Sequence, residues 1–220
     1  MNEDVKRIKI IIIGESDSVG KTCIIKRFVY DEHNSNEFPT SSLSFATKNI
    51  NVSENGVEEE IKLEVWDTVG QEKYKAMAQI FFKNSNAVIL VYDITNKESF
   101  EQLKNYWIDK INEYNSNDLT LAVAANKSDL YMKEQVKEEE GREFAQKIGA
   151  IFRLTSAKNG EGIKEMFYVI GKKYLDSILN KNKIINNQCD NDFDNKKNIV
   201  LKKSNFNNNE NIKNKKKCKC

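Results

Sequence analysis

The sequence predicts an α/β fold, a largely parallel sheet with helices on both faces. Three observations carry that expectation. The run Val5 to Ile13 is β-branched and almost continuously apolar at its end, the mark of a strand buried on both sides. Strand-like and helix-like periodicities then alternate along the chain, as crossover connections between parallel strands require. Asn55-Gly56, between two alternating runs, is the strongest short hairpin signal, so one antiparallel edge strand is expected.

After the first strand a glycine-containing loop leads into the helical pattern Lys21 to Tyr30. Leu43 to Val52 and Glu60 to Trp66 are the hairpin strands. Ile61, Leu63 and Val65 alternate with Lys62, Glu64 and Trp66, so one face should be core. The order then reads helix (about 72–84), strand Ala87 to Val91, helix (about 97–114) and strand Leu119 to Ala125. A helix at about 134–148, a short strand Ile151 to Leu154 and a helix at about 161–179 complete a folded region expected over 1–179. From residue 180 asparagine and lysine dominate. Too little apolar surface remains there to offset the entropy of ordering, so 180–220 is expected to be a disordered tail.

Of the 220 residues 39% are hydrophobic, enough for one sizeable core. No run of about 18 uncharged apolar residues predicts a membrane-spanning helix. The acidic start Met1-Asn2-Glu3-Asp4 and the short run Ile8 to Ile13 do not make a secretory signal. Asn2 stands where N-myristoylation needs glycine, and the protein is expected in the cytosol. Four cysteines, Cys23, Cys189, Cys218 and Cys220, are too few and badly placed for a disulfide framework. The net charge of +2 hides an asymmetry: residues 180–220 hold 11 lysines against 4 acids, and the rest holds 24 basic residues against 29 acidic ones. A nucleic-acid binder would carry positive charge across its folded domain, so that class is not expected.

Gly14-Glu15-Ser16-Asp17-Ser18-Val19-Gly20-Lys21-Thr22 lies between the first strand and the first helix. Backbone N–H groups and a helix N-terminus converge there on a phosphate, with Lys21 neutralising β/γ charge and the Thr22 hydroxyl on Mg²⁺. The usual loop has four residues between its glycines and this one has five. Either the turn bulges by one residue or Glu15 takes the first glycine's place. Asp67-Thr68-Val69-Gly70-Gln71 ends a strand, where a carboxylate can reach Mg²⁺ through water and a glycine N–H can meet a γ-phosphate. Asn126-Lys127-Ser128-Asp129 ends another, where a carboxylate can accept from both N1–H and the 2-amino group of guanine. Adenine has neither donor and would leave that carboxylate unpaired. Thr155-Ser156-Ala157-Lys158 follows the last strand and can offer a backbone N–H to guanine O6. Each motif alone has a bland reading as a solvated turn. All of them, in order at the carboxyl edge of one sheet, point to a nucleotide.

These residues resemble the small GTPases of the P-loop NTPase class, and Lys62-Leu63-Glu64-Val65-Trp66-Asp67-Thr68 and Leu90-Val91-Tyr92-Asp93-Ile94-Thr95 are similar to Rab signature stretches. Gly14-Glu15-Ser16 and Tyr92 to Phe100 lean toward the endosomal Rabs. The resemblance covers roughly 7–175 and implies a small G domain, a six-stranded mixed sheet with five helices. It implies GTP/GDP held by Ser18, Val19, Gly20, Lys21, Thr22, Cys23, His33, Thr40, Gly70, Asn126, Lys127, Asp129, Ser156, Ala157 and Lys158. Mg²⁺ would be held by Thr22, Thr40 and Asp67. Thr40, 18 residues after Thr22, would be the switch threonine, and Gln71 would orient the attacking water. Phe45, Trp66 and Phe81 would form an aromatic effector surface, with plain core packing the other reading for Phe45 and Phe81.

Five departures from the family accompany this: the longer phosphate loop with Asp17 and Ser18, Val69 before Gly70, Ser42 for a glycine, Phe81-Phe82-Lys83-Asn84-Ser85 for a tyrosine-rich stretch, and His33 where an aromatic stacks on guanine. Cys218-Lys219-Cys220 looks like the Rab double-prenylation ending. Two chains beside Lys215, Lys216, Lys217 and Lys219 would anchor the protein to a membrane. A coil of about 41 residues spans roughly 35 Å, enough to hold the domain off the bilayer.

The expected activity is slow, Mg²⁺-dependent GTP hydrolysis by a monomeric switch in vesicle-mediated transport. It would act on the cytoplasmic face of endosomal or Golgi-type membranes, with a cytosolic pool. Expected partners are an exchange factor, a GTPase-activating protein, a GDP-dissociation inhibitor, the prenylation escort machinery and effectors. The alternative is a hydrolysis-deficient binder or a non-enzymatic membrane scaffold, produced by the loop insertion.

Overall fold

The computed structural model describes residues 6–15, 17–33, 44–54, 56–67, 82–114 and 119–181. The chain divides into two units, Met1–Leu175 and Asp176–Cys220, and the sheet lies in the first. Its strands are β1 (Lys6–Ile13), β2 (Ser44–Glu54), β3 (Val57–Asp67), β4 (Ala87–Asp93), β5 (Thr120–Asn126) and β6 (Ile151–Thr155), in the spatial order β2-β3-β1-β4-β5-β6. Only β2 and β3 pair antiparallel, so the expected mixed sheet with one antiparallel edge strand is present.

Among the described residues the helices of the first unit are α1 (Lys21–Tyr30), α2 (Lys97–Gln102), α3 (Ile108–Tyr114), α4 (Glu138–Lys147) and α5 (163–175). A π turn, Leu103–Trp107, joins α2 and α3 into what reads in sequence as one helix. The expected helix at about 72–84 lies outside the described residues, apart from 82–84, and so does the tail from residue 182 on. Among the described residues no helix is long and apolar enough to cross a membrane.

The isoleucines Ile10 to Ile13 are at most 1% exposed, because helices cover both sides of the central strand. Burying each such side chain contributes about 2 kcal/mol. On one face Ile11, Ile13, Leu90, Tyr92 and Val123 pack with Phe100, Trp107 and Phe144. On the other, Phe28 of α1 stacks on Phe167 of α5 with ring centroids 3.8 Å apart. Helix α5 comes close enough to the sheet that a Cβ on Gly171 would lie 2.9 Å from Ile50 Cδ1.

The parallel register aligns the strand ends. Ile12 sits opposite Asp67, and Asp93, Asn126 and Thr155 lie side by side on β4, β5 and β6. All the loops named from sequence therefore leave one edge of the sheet.

Within the core the Tyr92 hydroxyl is buried and has no hydrogen-bond partner among the described residues. Burial, then the negative field of Glu140, Glu138 and Glu134, pushes its pKa above the ordinary 10.0. The folded state thus holds a proton that the unfolded chain releases near pH 10, so this contribution is full below that pH and is lost as pH rises further. Tyr92→Phe removes a buried hydroxyl that forms no bond, and is expected to stabilise the protein by about 1 kcal/mol. In urea titrations at pH 8 and pH 10.5 the variant should also lose less stability with rising pH than the parent. Destabilisation at pH 8 would show that the hydroxyl is bonded.

Candidate functional site

Gly14 directly follows β1, and a Cβ there would lie 2.5 Å from the Val91 carbonyl and 2.9 Å from Val19 Cγ2. That position has no room for a side chain. A short 3₁₀ turn, Asp17–Val19, lies within the long loop. Gly20 caps α1 at φ +90°, a backbone angle that glycine adopts without strain. The Ile24 N–H closes the first helical bond on the Gly20 carbonyl at 3.0 Å. The amides of Lys21, Thr22 and Cys23 precede that bond, at the positive end of the helix dipole. Lys21, only 3% exposed, donates from Nζ to the Gly14 carbonyl at 3.2 Å. Ser18 is exposed and Cys23 half-buried.

The Thr22 hydroxyl donates to Asp67 Oδ2 at 2.6 Å, and Asp67 is buried at the end of β3. Hydroxyl and carboxylate oxygens suit a small hard dication that keeps water and phosphate oxygens as its other ligands. Among the described residues no group of three or more His, Cys, Asp or Glu forms an all-protein metal cage. The residues present therefore fit Mg²⁺ shared with a phosphate.

Asn126 is a brace. Its side-chain amide donates to the Val19 carbonyl at 2.7 Å, and its Oδ1 accepts from the Thr155 hydroxyl at 3.3 Å. It ties the phosphate loop to β5 and β6, and a Cβ on Gly20 would collide with it at 2.5 Å. Lys127 adopts φ +66°, and its ammonium pairs with Asp93 at 2.7 Å. Asp129 accepts from the Ser156 hydroxyl at 2.6 Å, with Lys158 at 3.9 Å. Glu161 supports the same loops: its carboxylate accepts from Ser128 and its carbonyl from the Ser156 N–H. Ala157 is buried and His33 is exposed just past the end of α1.

Val19, Gly20, Lys21, Thr22, Asp67 and Asn126 thus form one cluster, and Asp129, Ser156 and Lys158 a second beside it. Thr40, Gly70 and Gln71 lie outside the described residues, as do Ser42, Val69, Phe81, Cys218 and Cys220. Phe45 is 58% exposed and stacks on the half-buried Trp66 with centroids 5.1 Å apart, so the core reading of Phe45 falls away. The Lys9 ammonium lies 5.2 Å from the Trp66 ring centre, and burial lowers its pKa. Arg27 and Glu161 were not singled out from sequence. No motif marks them, and several of their partners lie far along the chain.

The model of the Ras family matches residues 9–176. Among curated relatives, the Ras-related protein RabC of Dictyostelium discoideum is 36% identical over 82% of this chain and 89% of its own length. The GTP-binding protein YPT52 of Saccharomyces cerevisiae is 36% identical over 83% of this chain and 87% of its own. The human Ras-related protein Rab-22A is 37% identical over 77% of this chain and 84% of its own.

Proposed function

The chain belongs to the Ras family, as a GTPase similar to the Rab proteins, and from that premise we propose that it is a membrane-anchored, Mg²⁺-dependent switch in vesicle-mediated transport. The observation that carries the reading is the 2.6 Å bond between Thr22 and Asp67 at the head of α1. It brings together the two strand-end loops that a nucleotide phosphate and its metal would share.

Thr22 and Asp67, with Thr40, would hold the metal, which when bound offsets charge on the β- and γ-phosphates. The amides at the start of α1 and the Lys21 ammonium would hold the phosphates in line for attack. Asp129 would select guanine, the 156–158 loop would meet its O6, and His33 would cover its face. Gln71 would orient the attacking water. Contacts from Thr40 and Gly70 to the γ-phosphate would end on hydrolysis, releasing both segments. Exchange factors, activating proteins, a dissociation inhibitor and effectors on the Phe45–Trp66 surface would read that change. Prenyl chains on Cys218 and Cys220 would hold the protein on endosomal membranes.

Native mass spectrometry of protein from a prenylating cell tests the reading in one measurement. Each chain is expected to carry two isoprenoids and one GDP, and added GTP should turn over at about 10⁻⁴ s⁻¹ without a partner. A chain with no guanine nucleotide would leave only a scaffold. Persistent GTP would leave a binder that does not hydrolyse, and missing isoprenoids would remove the anchor.

A further inference from the structure

Arg27, on α1, spreads its guanidinium across groups at opposite ends of the domain sequence. Its Nε donates to the Ala157 carbonyl at 2.8 Å and its Nη2 to the Lys158 carbonyl at 2.9 Å. Its Nη1 donates to the Asp31 carbonyl at 2.7 Å and to the Asp31 carboxylate at 3.2 Å. The side chain is 16% exposed, and its Cδ lies 3.7 Å from where a Cβ on Gly160 would stand. The Arg27 bond, then Lys164, holds the Asp31 carboxyl below its ordinary range, so it stays charged at neutral pH.

An exposed i,i+4 ion pair alone does little. The two carbonyl bonds are different in kind. In a trans peptide the N–H points opposite the preceding C=O, so holding carbonyls 157 and 158 toward Arg27 aims the N–H groups of Lys158 and Asn159 the other way. The Asn159 N–H meets the Ser156 hydroxyl at 3.3 Å, and that hydroxyl donates to Asp129 at 2.6 Å. Arg27 is thereby connected through the loop to the carboxylate that would read the base. Its other edge holds Asp31, the left-handed cap of α1, two residues before His33. Two edges of a rigid planar fork can satisfy this arrangement, and a single ammonium cannot.

We propose that Arg27 is a positioning residue that clamps the 156–159 loop and the end of α1 around the base, and so sets how long a guanine nucleotide stays bound. This rests on the guanine-nucleotide reading given above. The test is release of fluorescently labelled GDP from full-length wild type, Arg27→Met and Arg27→Lys in excess Mg²⁺, alongside single-turnover hydrolysis of bound GTP. Arg27→Met is expected to release GDP about tenfold faster or more, because two charge-assisted bonds are lost. Arg27→Lys, which keeps charge but loses the fork, should accelerate release about threefold. Hydrolysis of GTP that remains bound should stay within about twofold of wild type.

A purely structural role would speed the release of any purine nucleotide equally. The clamp predicts instead a clearly smaller acceleration for labelled 2-aminopurine riboside diphosphate, which has no O6 for the loop to hold. Wild-type release rates in both variants, or equal acceleration with both nucleotides, would overturn the clamp. Wild type that retains no labelled GDP would overturn the guanine reading and the clamp with it. Should Arg27→Met fail to fold, Arg27→Lys with the two nucleotides decides the matter alone.

Discussion

Replacing Asp129 with Asn is expected to weaken GDP binding by about 10⁴- to 10⁵-fold, the range by which a site built to pair polar groups rejects an unmatched ligand. An ionised carboxylate offers only acceptors, matching the two donors on the N1 and C2 edge of guanine. An Asn amide offers one acceptor and one donor, so its NH₂ would face the guanine 2-amino group, donor against donor. Xanthine carries a carbonyl at C2, and the variant should bind xanthosine diphosphate better than GDP. Competition against a labelled nucleotide measures both. The substitution leaves an oxygen to accept from Ser156, the 2.6 Å bond that ties this loop to the next. The fold should therefore survive, with a melting temperature within a few degrees of the parent. GDP affinity within about tenfold of wild type would remove Asp129 from base recognition.

The parts of the fold that were legible are those whose cause is local. Ile10 to Ile13 and Ala87 to Val91 are buried on both faces as their apolar runs imply, and the hairpin pairs Glu54 with Val57 where the Asn-Gly signal placed its turn. The departures arise where a distant partner decides. The hairpin ladder runs on to Glu54 opposite Val57, beyond the expected strand ends at Val52 and Glu60, with Glu59 paired to Lys6 of β1. The helix expected from about residue 134 begins at Glu138, because the Gln135 and Val136 N–H groups both donate to the Ile94 carbonyl and hold the chain out of the helix. The π turn is likewise set by tertiary fit. The Ile108 N–H reaches back to the Leu103 carbonyl, and Leu103, Trp107 and Ile111, at spacing four, all reach the core.

The site divides in the same way. Lys21, Thr22, Asp67 and Asp129 were picked out by residue type and spacing, and the structure places Thr22 against Asp67 and Asp129 against Ser156. Asn126 belonged to a recognised motif, yet its amide is engaged by the Val19 carbonyl, so much of its role is to brace the phosphate loop. Arg27 gave no signal, since the carbonyls it holds are 130 and 131 residues away and any residue type could have supplied them. The long phosphate loop lies between these cases. The extra residue is plain in the sequence, whereas the need for glycine at residue 14 comes from the Val91 carbonyl, which leaves no room for a side chain there.

Lys21→Met separates binding from folding at the centre of the phosphate site. The ammonium is almost fully buried and donates to the Gly14 carbonyl. A β/γ-phosphate pair would add a charged partner. Removing one partner of a buried, hydrogen-bonded charge pair costs about 3–5 kcal/mol, so nucleotide affinity should fall by about a hundredfold to several thousandfold. Methionine keeps the length and the apolar stem; the charge-assisted bond it gives up contributes about 1.5–3 kcal/mol, offset because an ammonium is no longer buried. The nucleotide-free protein should therefore unfold in urea close to the parent midpoint, while calorimetry with GDP and Mg²⁺ detects little binding. Saturating GTP should not restore turnover either, because the same cation would offset the charge that builds as the γ-phosphoryl group transfers. Equal losses of nucleotide-free stability and affinity would mean that Lys21 serves the loop's own structure. Unchanged affinity would move the phosphates elsewhere.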